Sequence, residues 1–484
     1  MKAGVWVALL AVGSVVPLGA WAQADEKAKG EKVMTAEQAK ELFASVDEIM
    51  AFAAKDTGLA GVPNVKRKLV TRDEVTKYLV KSFDEDESSK RLQRSEIVLK
   101  KFGLLNRDFN LRPFLLSLLT EQIAGYYDDK TKVVNLLNWI APDEQKPVLA
   151  HELTHAIQDQ KVGLEKWSTD GFKGVSKTAS EDADRVLNDE KETARQAVAE
   201  GQAMVVFVDY AAAHPAPAKK GDEGAGGSDV MSRAPLLLQR SLEFPYTNGM
   251  AFEKALGDGG GKPLEFAGVL ENPPSSSFEI LHPGAYLQHA VVPSLRLPDV
   301  HAILDAEYEP YDVGVMGELD VEIMASLFGG PEIAEAIAPQ WDGGVYYAGQ
   351  RKSATAEEKT TTGSLAVLYF SRWRSADAAR AFAKVYQVEL GRKYSGLTER
   401  KADEAEGETV YTTDEGDVLM WASGKDLYIG EGFPVATDRK LRDAIEAVQG
   451  SGPMRMASTP RRELGLSGVQ VIAGFGVMKA GMSK

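Results

Sequence analysis

The sequence predicts an α+β fold: a mainly helical domain carrying a small β-hairpin, followed by a smaller α+β domain. Three observations lead there. Apolar residues recur at helical spacing through much of the first third of the chain, as at Leu42, Val46, Ile49 and Met50. Two β-rich segments flank a short polar turn near residue 130. After Pro339 the pattern changes to short β-rich runs alternating with two helical stretches. The chain has 484 residues, 44% of them hydrophobic and 26% charged, enough for two ordinary domains and unlike a disordered chain.

Taken in order, residues 1–22 read as an export signal. Lys2 supplies the positive charge, and the apolar run over 5–18 is short for a membrane span. Ala20 and Ala22 give small residues at the cleavage-determining positions, so the mature chain is expected to start at Gln23, in the periplasm or secreted. An uncleaved N-terminal anchor is the alternative. Residues 23–35 are polar and Lys/Glu-rich and read as a disordered leader. The first domain is expected over 36–335. Its helical pattern breaks at 58–63, and the hairpin covers 123–137. Asp143 is expected to cap a helix running through Pro147 to about Asp159. A second long helix covers about 180–213. A flexible insertion is expected at 215–232, where Pro215 to Ser228 is rich in Pro, Ala and Gly. Helices and long loops fill about 234–328. The second domain is expected over 340–450, with strands near 345–347, 365–370, 409–411 and 418–421. Ser375 caps one of its helices, and another spans 437–448. The tail, 451–484, has no clear pattern.

Lys and Arg number 56 against 71 Asp and Glu, a net charge of −15. Such a surface repels phosphate backbones, which argues against nucleic acid and anionic membranes as partners. No stretch after the signal is apolar enough to span a bilayer. There is no cysteine. Disulfides, thiolate metal sites and cysteine nucleophiles are excluded, and a bound metal must be held by His, Asp or Glu.

Only six histidines occur, and two of them frame His151-Glu152-Leu153-Thr154-His155. By composition alone H-E-x-x-H is expected on the order of 0.01 times in such a chain. Residues four apart share a helix face, so both imidazoles can converge on one Zn2+ at about 2.0–2.1 Å. Glu152, beside the first ligand, is angled to reach a metal-bound water and act as its general base. A catalytic zinc needs a third protein ligand. Gln158 and Lys161 stand where a third-histidine extension would require Gly and His. The best remaining candidate is Glu200. Its helical neighbours Gln196, Ala197, Ala203, Met204 and Phe207 are mostly small or apolar, and a carboxylate buried among them needs a metal or a partner. Gly201 permits close backbone approach. The competitors Glu181, Glu190 and Glu192 share faces with Asp184, Arg185, Asn188, Asp189 and Arg195, which read as a solvated side.

H-E-x-x-H with a downstream helical Glu resembles the gluzincin metallopeptidases, and the surrounding 149–160 is similar to exported bacterial proteins of that kind. The resemblance covers roughly 110–330. It implies a zincin-like fold for the first domain, zinc as cofactor, a peptide or protein substrate, and a hairpin strand bordering the cleft where an extended substrate pairs. The family's Asp four residues after the Glu ligand is replaced by Met204. Residues 273–286 are similar to a stretch recurring in the same exported proteins, and His282 or Tyr286 is a candidate donor for the oxyanion or substrate; capping or packing is the alternative.

Asp56-Thr57-Gly58 matches one aspartic-peptidase tripeptide, but a single copy lacks the second carboxylate and reads as a helix end. The glycine-rich 257–262 lacks phosphate-loop spacing. The expected function is therefore an exported zinc metallopeptidase with His151, His155 and Glu200 on the metal and Glu152 as general base. The alternatives are a zinc-containing, non-proteolytic scaffold or chaperone-like binding protein, and a zinc hydrolase of non-peptide amides or esters.

Overall fold

The structure is a computed structural model that describes residues 33–85, 87–168, 174–215 and 229–449. The expected export signal, the tail and all of the leader before Val33 lie outside these residues, as does the insertion between 216 and 228. The fold is α+β.

Thr35 and Gln38 form a reciprocal capping box that starts α1 (Ala36–Thr57), and Gly58, at φ 69°, ends it in the left-handed conformation. β1 (Lys66–Val70) follows, inside a stretch that reads as helical from the sequence. It pairs in parallel with a strand 67 residues later, Leu69 opposite Leu136, a partnership no local period reveals. Helices α2 (Arg72–Glu85), α3 (Glu87–Lys101) and α4 (Leu111–Gln122) come next. The expected hairpin is present as β2 (Gly125–Asp128) and β3 (Val133–Leu137), antiparallel, in the order β1-β3-β2, so β2 is an edge strand.

α5 (Pro142–Val162) is capped at Ala141, not Asp143. Pro142 takes the first helical position, where its missing N–H costs nothing, and Asp143 lies in the first turn, where its charge suits the helix dipole. After α6 (Leu164–Ser168), α7 (Ala179–Ala213) is capped by the Thr178 hydroxyl. Asp229–Ser232, the end of the expected insertion, forms the helical turn α8, and α9 (Leu236–Gly260) packs along α7.

A seven-stranded antiparallel sheet follows: β4 (Tyr308–Val315), β5 (Trp341–Arg351), β6 (Leu365–Trp373), β7 (Thr398–Glu399), β8 (Glu408–Thr413), β9 (Gly416–Ser423) and β10 (Asp426–Glu431), in the order β4-β5-β6-β10-β9-β8-β7. The expected domain boundary at 335–340 thus falls between two paired strands, β4 and β5. β4 escapes the sequence because Pro310 and Gly314 interrupt it. An edge strand tolerates both, and its register shifts between Pro310 and Asp312. β6 is apolar without alternation because both of its faces are covered. Leu365, Val367 and Tyr369 join the core beneath the helix Ala376–Lys393, while Ala366, Leu368 and Phe370 pack with Leu441 and Ile445 of the helix Val435–Gln449. The first of these cores also takes in Leu79, Leu118, Met204 and Tyr246, so helices of the first part and the sheet share one interior. No helix of the described residues is long and apolar enough to cross a membrane.

Candidate metal centre

α5 is central. Every residue from Val148 to Asp159 is buried. Its apolar residues Leu149, Ala150, Leu153, Ala156 and Ile157 pack with Leu42, Val46 and Ile49 of α1. A second face, spaced by seven residues, binds the hairpin. Gln145 exchanges hydrogen bonds with the backbone of Leu137, at 2.8 Å each way. Glu152 Oε2 accepts from the Tyr127 N–H at 2.7 Å. Asp159 accepts from the Tyr127 hydroxyl at 2.7 Å and from the Leu164 N–H at 3.0 Å. Two turns of helix per seven residues keep the three polar side chains in line along one side of the helix, facing β3 and β2.

The third face carries His151 and His155 toward α7. There the two helices α7 and α9 meet at a glycine pair: a Cβ on Gly249 would lie 2.1 Å from the Ala197 carbonyl oxygen, and one on Gly201 2.4 Å from the Gly249 carbonyl carbon. This close crossing braces the turn of α7 that bears Glu200. His151 Nε2 and His155 Nε2 are 3.1 Å apart, and Glu200 Oε2 lies 3.2 Å from the first and 3.4 Å from the second. Ligands of a tetrahedral zinc bound at about 2.0–2.1 Å stand about 3.3–3.4 Å from one another. The observed triangle is of a size that could hold a metal ion. Among the described residues this is the one group of three or more His and carboxylate side chains placed to hold a metal ion.

All three ligand candidates and Glu152 are at most 1% exposed. Burial alone would raise Glu200 and lower His155. Their mutual attraction wins, holding the Glu200 carboxyl down at about 2 and lifting His155 to about 9. Burial pulls His151 below its ordinary value. The cluster therefore favours one positive charge among three converging donor atoms. Glu200 Oε2 meets both imidazole nitrogens, whose attraction keeps the buried carboxylate charged. Glu152 is pushed up to about 8, chiefly by burial, with the Glu200 charge adding to it and His155 opposing. Its Oε1 makes no hydrogen bond.

The structure thus brings together His151, His155 and Glu200, with Glu152 beside them. His282 and Tyr286 have partners of their own. His282 Nε2 meets Glu318 Oε2 at 2.7 Å, and the Tyr286 hydroxyl donates to the Asn272 carbonyl at 2.7 Å while its ring packs edge-on to Phe252. In this arrangement His282 Nε2 and the Tyr286 hydroxyl are each engaged by another residue. The side of α7 expected to be solvated is so only in part: Glu181 and Asp184 are exposed, but others are not. Asp189 is buried against Arg91 at 2.7 Å, and Glu190 accepts from the Ser277 N–H at 3.0 Å and is raised to about 7 by burial. Those residues face α3, β4 and the segment near Ser277, contacts that a helical wheel cannot show.

Sequence reasoning missed Tyr246, whose ring lies over His151 at 6.4 Å, and Gln158, whose Oε1 lies 2.8 Å from His155 Nδ1. Gln158 was findable, since it stands three residues after His155 and seven after His151 on one face. A cavity of about 130 Å³ runs beside α7, its walls including Thr193 and Gln196 of α7 and Phe244 and Pro245 of α9. Gln196 is one helical turn from Glu200. Comparison with known proteins finds no match: no family model, no curated protein and no solved structure is significantly similar to this chain.

Proposed function

We propose that this chain is an exported, zinc-dependent metallopeptidase with a zincin-like first domain, in which His151, His155 and Glu200 hold the metal and Glu152 moves the proton. The observation that carries the reading is the triangle of donor atoms, 3.1, 3.2 and 3.4 Å on a side, with a carboxylate of raised pKa next to it. When bound, zinc supplies Lewis acidity, lowering the pKa of water and polarising a carbonyl. Glu152 is oriented by the Tyr127 N–H on one oxygen, and its other oxygen is left to take the proton from the attacking water. The carboxyl so formed can then return that proton to the leaving amine. β2 is an edge strand beside Glu152, and an extended peptide laid along it would bring a peptide carbonyl toward that carboxylate. The cavity along α7 offers space one turn from Glu200.

One observation favours the scaffold reading. The ligand set is buried throughout, as in a structural metal site. A single experiment separates the two. Purified protein is incubated with a diverse peptide mixture, with and without a chelator, and products are read by mass spectrometry. Glu152→Gln should keep its zinc and lose cleavage by about 10²–10⁴-fold, while Glu200→Ala should lose the zinc itself. A wild-type chain that takes up zinc and leaves every peptide intact, as Glu152→Gln does, would favour the scaffold.

A further inference from the structure

We infer that two buried glutamines, Gln158 and Gln202, transmit the polarity of a π-helical turn to His155 and fix which of its ring nitrogens faces the metal. The inference rests on reading His151, His155 and Glu200 as a metal centre.

The chain of hydrogen bonds begins at the π-helix Leu264–Gly268. The carbonyls of Glu265 and Phe266 both receive the Gln202 Nε2, at 2.7 and 3.1 Å. A carbonyl only accepts, so the amide of Gln202 has one permitted orientation, with NH2 toward the turn and Oε1 away from it. Gln202 Oε1 in turn accepts from Gln158 Nε2 at 2.9 Å. The same nitrogen donates to the Ala199 carbonyl at 2.9 Å, which fixes the second amide independently. Gln158 Oε1 is thereby directed at His155 Nδ1, 2.8 Å away. An amide oxygen also only accepts, so Nδ1 must carry a proton. In the neutral ring that a bound metal requires, the lone pair is then on Nε2, the nitrogen that faces His151 and Glu200.

Both glutamines are fully buried, and every donor and acceptor of the two amides used in this chain is matched. Flipping either amide would set NH2 against NH2, or oxygen against two carbonyls, in a dry interior where an unmatched polar group is costly. The π turn has a physical purpose here. Its irregular hydrogen bonding presents two consecutive carbonyls to one side chain from the neighbouring helix, and such turns are frequent at functional sites. Gln158 occupies the place that an orienting carboxylate holds at many metal-bound histidines. Being neutral, it orients the ring without adding charge to a site that already holds Glu152 and Glu200.

Gln202 is linked to His155 through Gln158, which makes it the discriminating position. Zinc affinity of the full chain is measured by competition with a fluorescent chelator, and His155 is observed by NMR of the zinc-loaded, ¹⁵N-histidine-labelled protein. Gln202→Leu and Gln158→Leu should each weaken zinc binding by about 10–100-fold. Gln158→Glu keeps an acceptor toward Nδ1 and should regain most of that loss. The hydrogen-bonded Nδ1 proton should be visible in the wild type and in Gln158→Glu and be lost in Gln158→Leu. If Gln202→Leu does not fold, the Glu and Leu variants at position 158 decide the matter. Equal zinc affinity in all folded variants, or coordination of His155 through Nδ1, overturns the relay. Failure of the wild-type chain to take up zinc refutes the metal centre and the relay together.

Discussion

Glu253 of α9 has no exposed surface, and its carboxylate gets only partial relief, from the Gln202 side chain. Burial, reinforced by Glu265, holds its pKa well above the ordinary 4.5. Below pH 4.5 the group is protonated in both folded and unfolded chains and its titration is silent. As pH rises beyond that, the unfolded chain releases the proton while the folded chain retains it, so folding loses stability with increasing pH. Replacing this carboxyl by an apolar side chain of similar length should remove the loss. Glu253→Met is expected to raise stability by about 1–3 kcal/mol at pH 8, where the buried group costs most, and to change it little at pH 4. Thermal melts of both chains across that range check the sign; a stabilisation that shrinks as pH rises would contradict it. Glu200 behaves oppositely for one reason: two imidazoles meet its carboxylate, and no cation meets Glu253.

Each face of α5 has a separate task. One packs on α1, one grips the hairpin through Gln145, Glu152 and Asp159, and one presents the histidines to α7. The helix is thereby immobilised along its length, which places both imidazoles without any contribution from a loop. The partner helix is positioned by the Gly201–Gly249 crossing. Gly249→Ala sets a methyl group 2.1 Å from the Ala197 oxygen, which is backbone and cannot swing aside. The helices must separate, and the turn carrying Glu200 moves with them. The expected cost is about 1–3 kcal/mol of stability, as for other overpacked interiors, together with weaker zinc binding. Urea unfolding and chelator competition measure the two effects, and a variant with wild-type values for both would show that the crossing does not position Glu200.

Across the molecule, the helical part and the seven-stranded sheet are tied by a buried ionic network. Lys393 Nζ meets Glu431 at 2.8 Å, Glu389 at 2.9 Å and the Lys101 carbonyl at 2.8 Å, while the hydroxyls of Tyr386 and Tyr394 donate to Glu431 at 2.6 Å each. Lys101 itself pairs with Glu415 at 3.0 Å. The link thus runs from the end of α3 through the helix Ala376–Lys393 to β10 and the β8–β9 turn. Lys393→Met would leave two carboxylates buried without this cation, at a cost of about 3–5 kcal/mol. Because the network joins both parts, the loss should appear as one lower denaturation midpoint seen alike by probes in the helices and in the sheet. Two separate transitions would mean that the parts unfold independently.

The sequence was sufficient for whatever depends on neighbours along one element. The four-residue spacing of His151 and His155, the long helix bearing Glu200, the hairpin and the Ser375 cap are local, and helical period or turn chemistry expresses them. The candidate metal centre was legible for the same reason, since two of its donors share one helix face and the third is a carboxylate on a small, apolar face. The rest depended on partners distant in the chain. β1 and β4 became strands by pairing with β3 and β5, Asp189 went inside because α3 and β4 cover it, Glu190 is half-buried against Ser277, and His282 and Tyr286 meet Glu318 and Asn272. Gln202 acquires a purpose only when the π turn at 264–268 is brought against α7. Periodicity reports which way a side chain points from its own helix or strand; what it then meets is settled by how those elements pack.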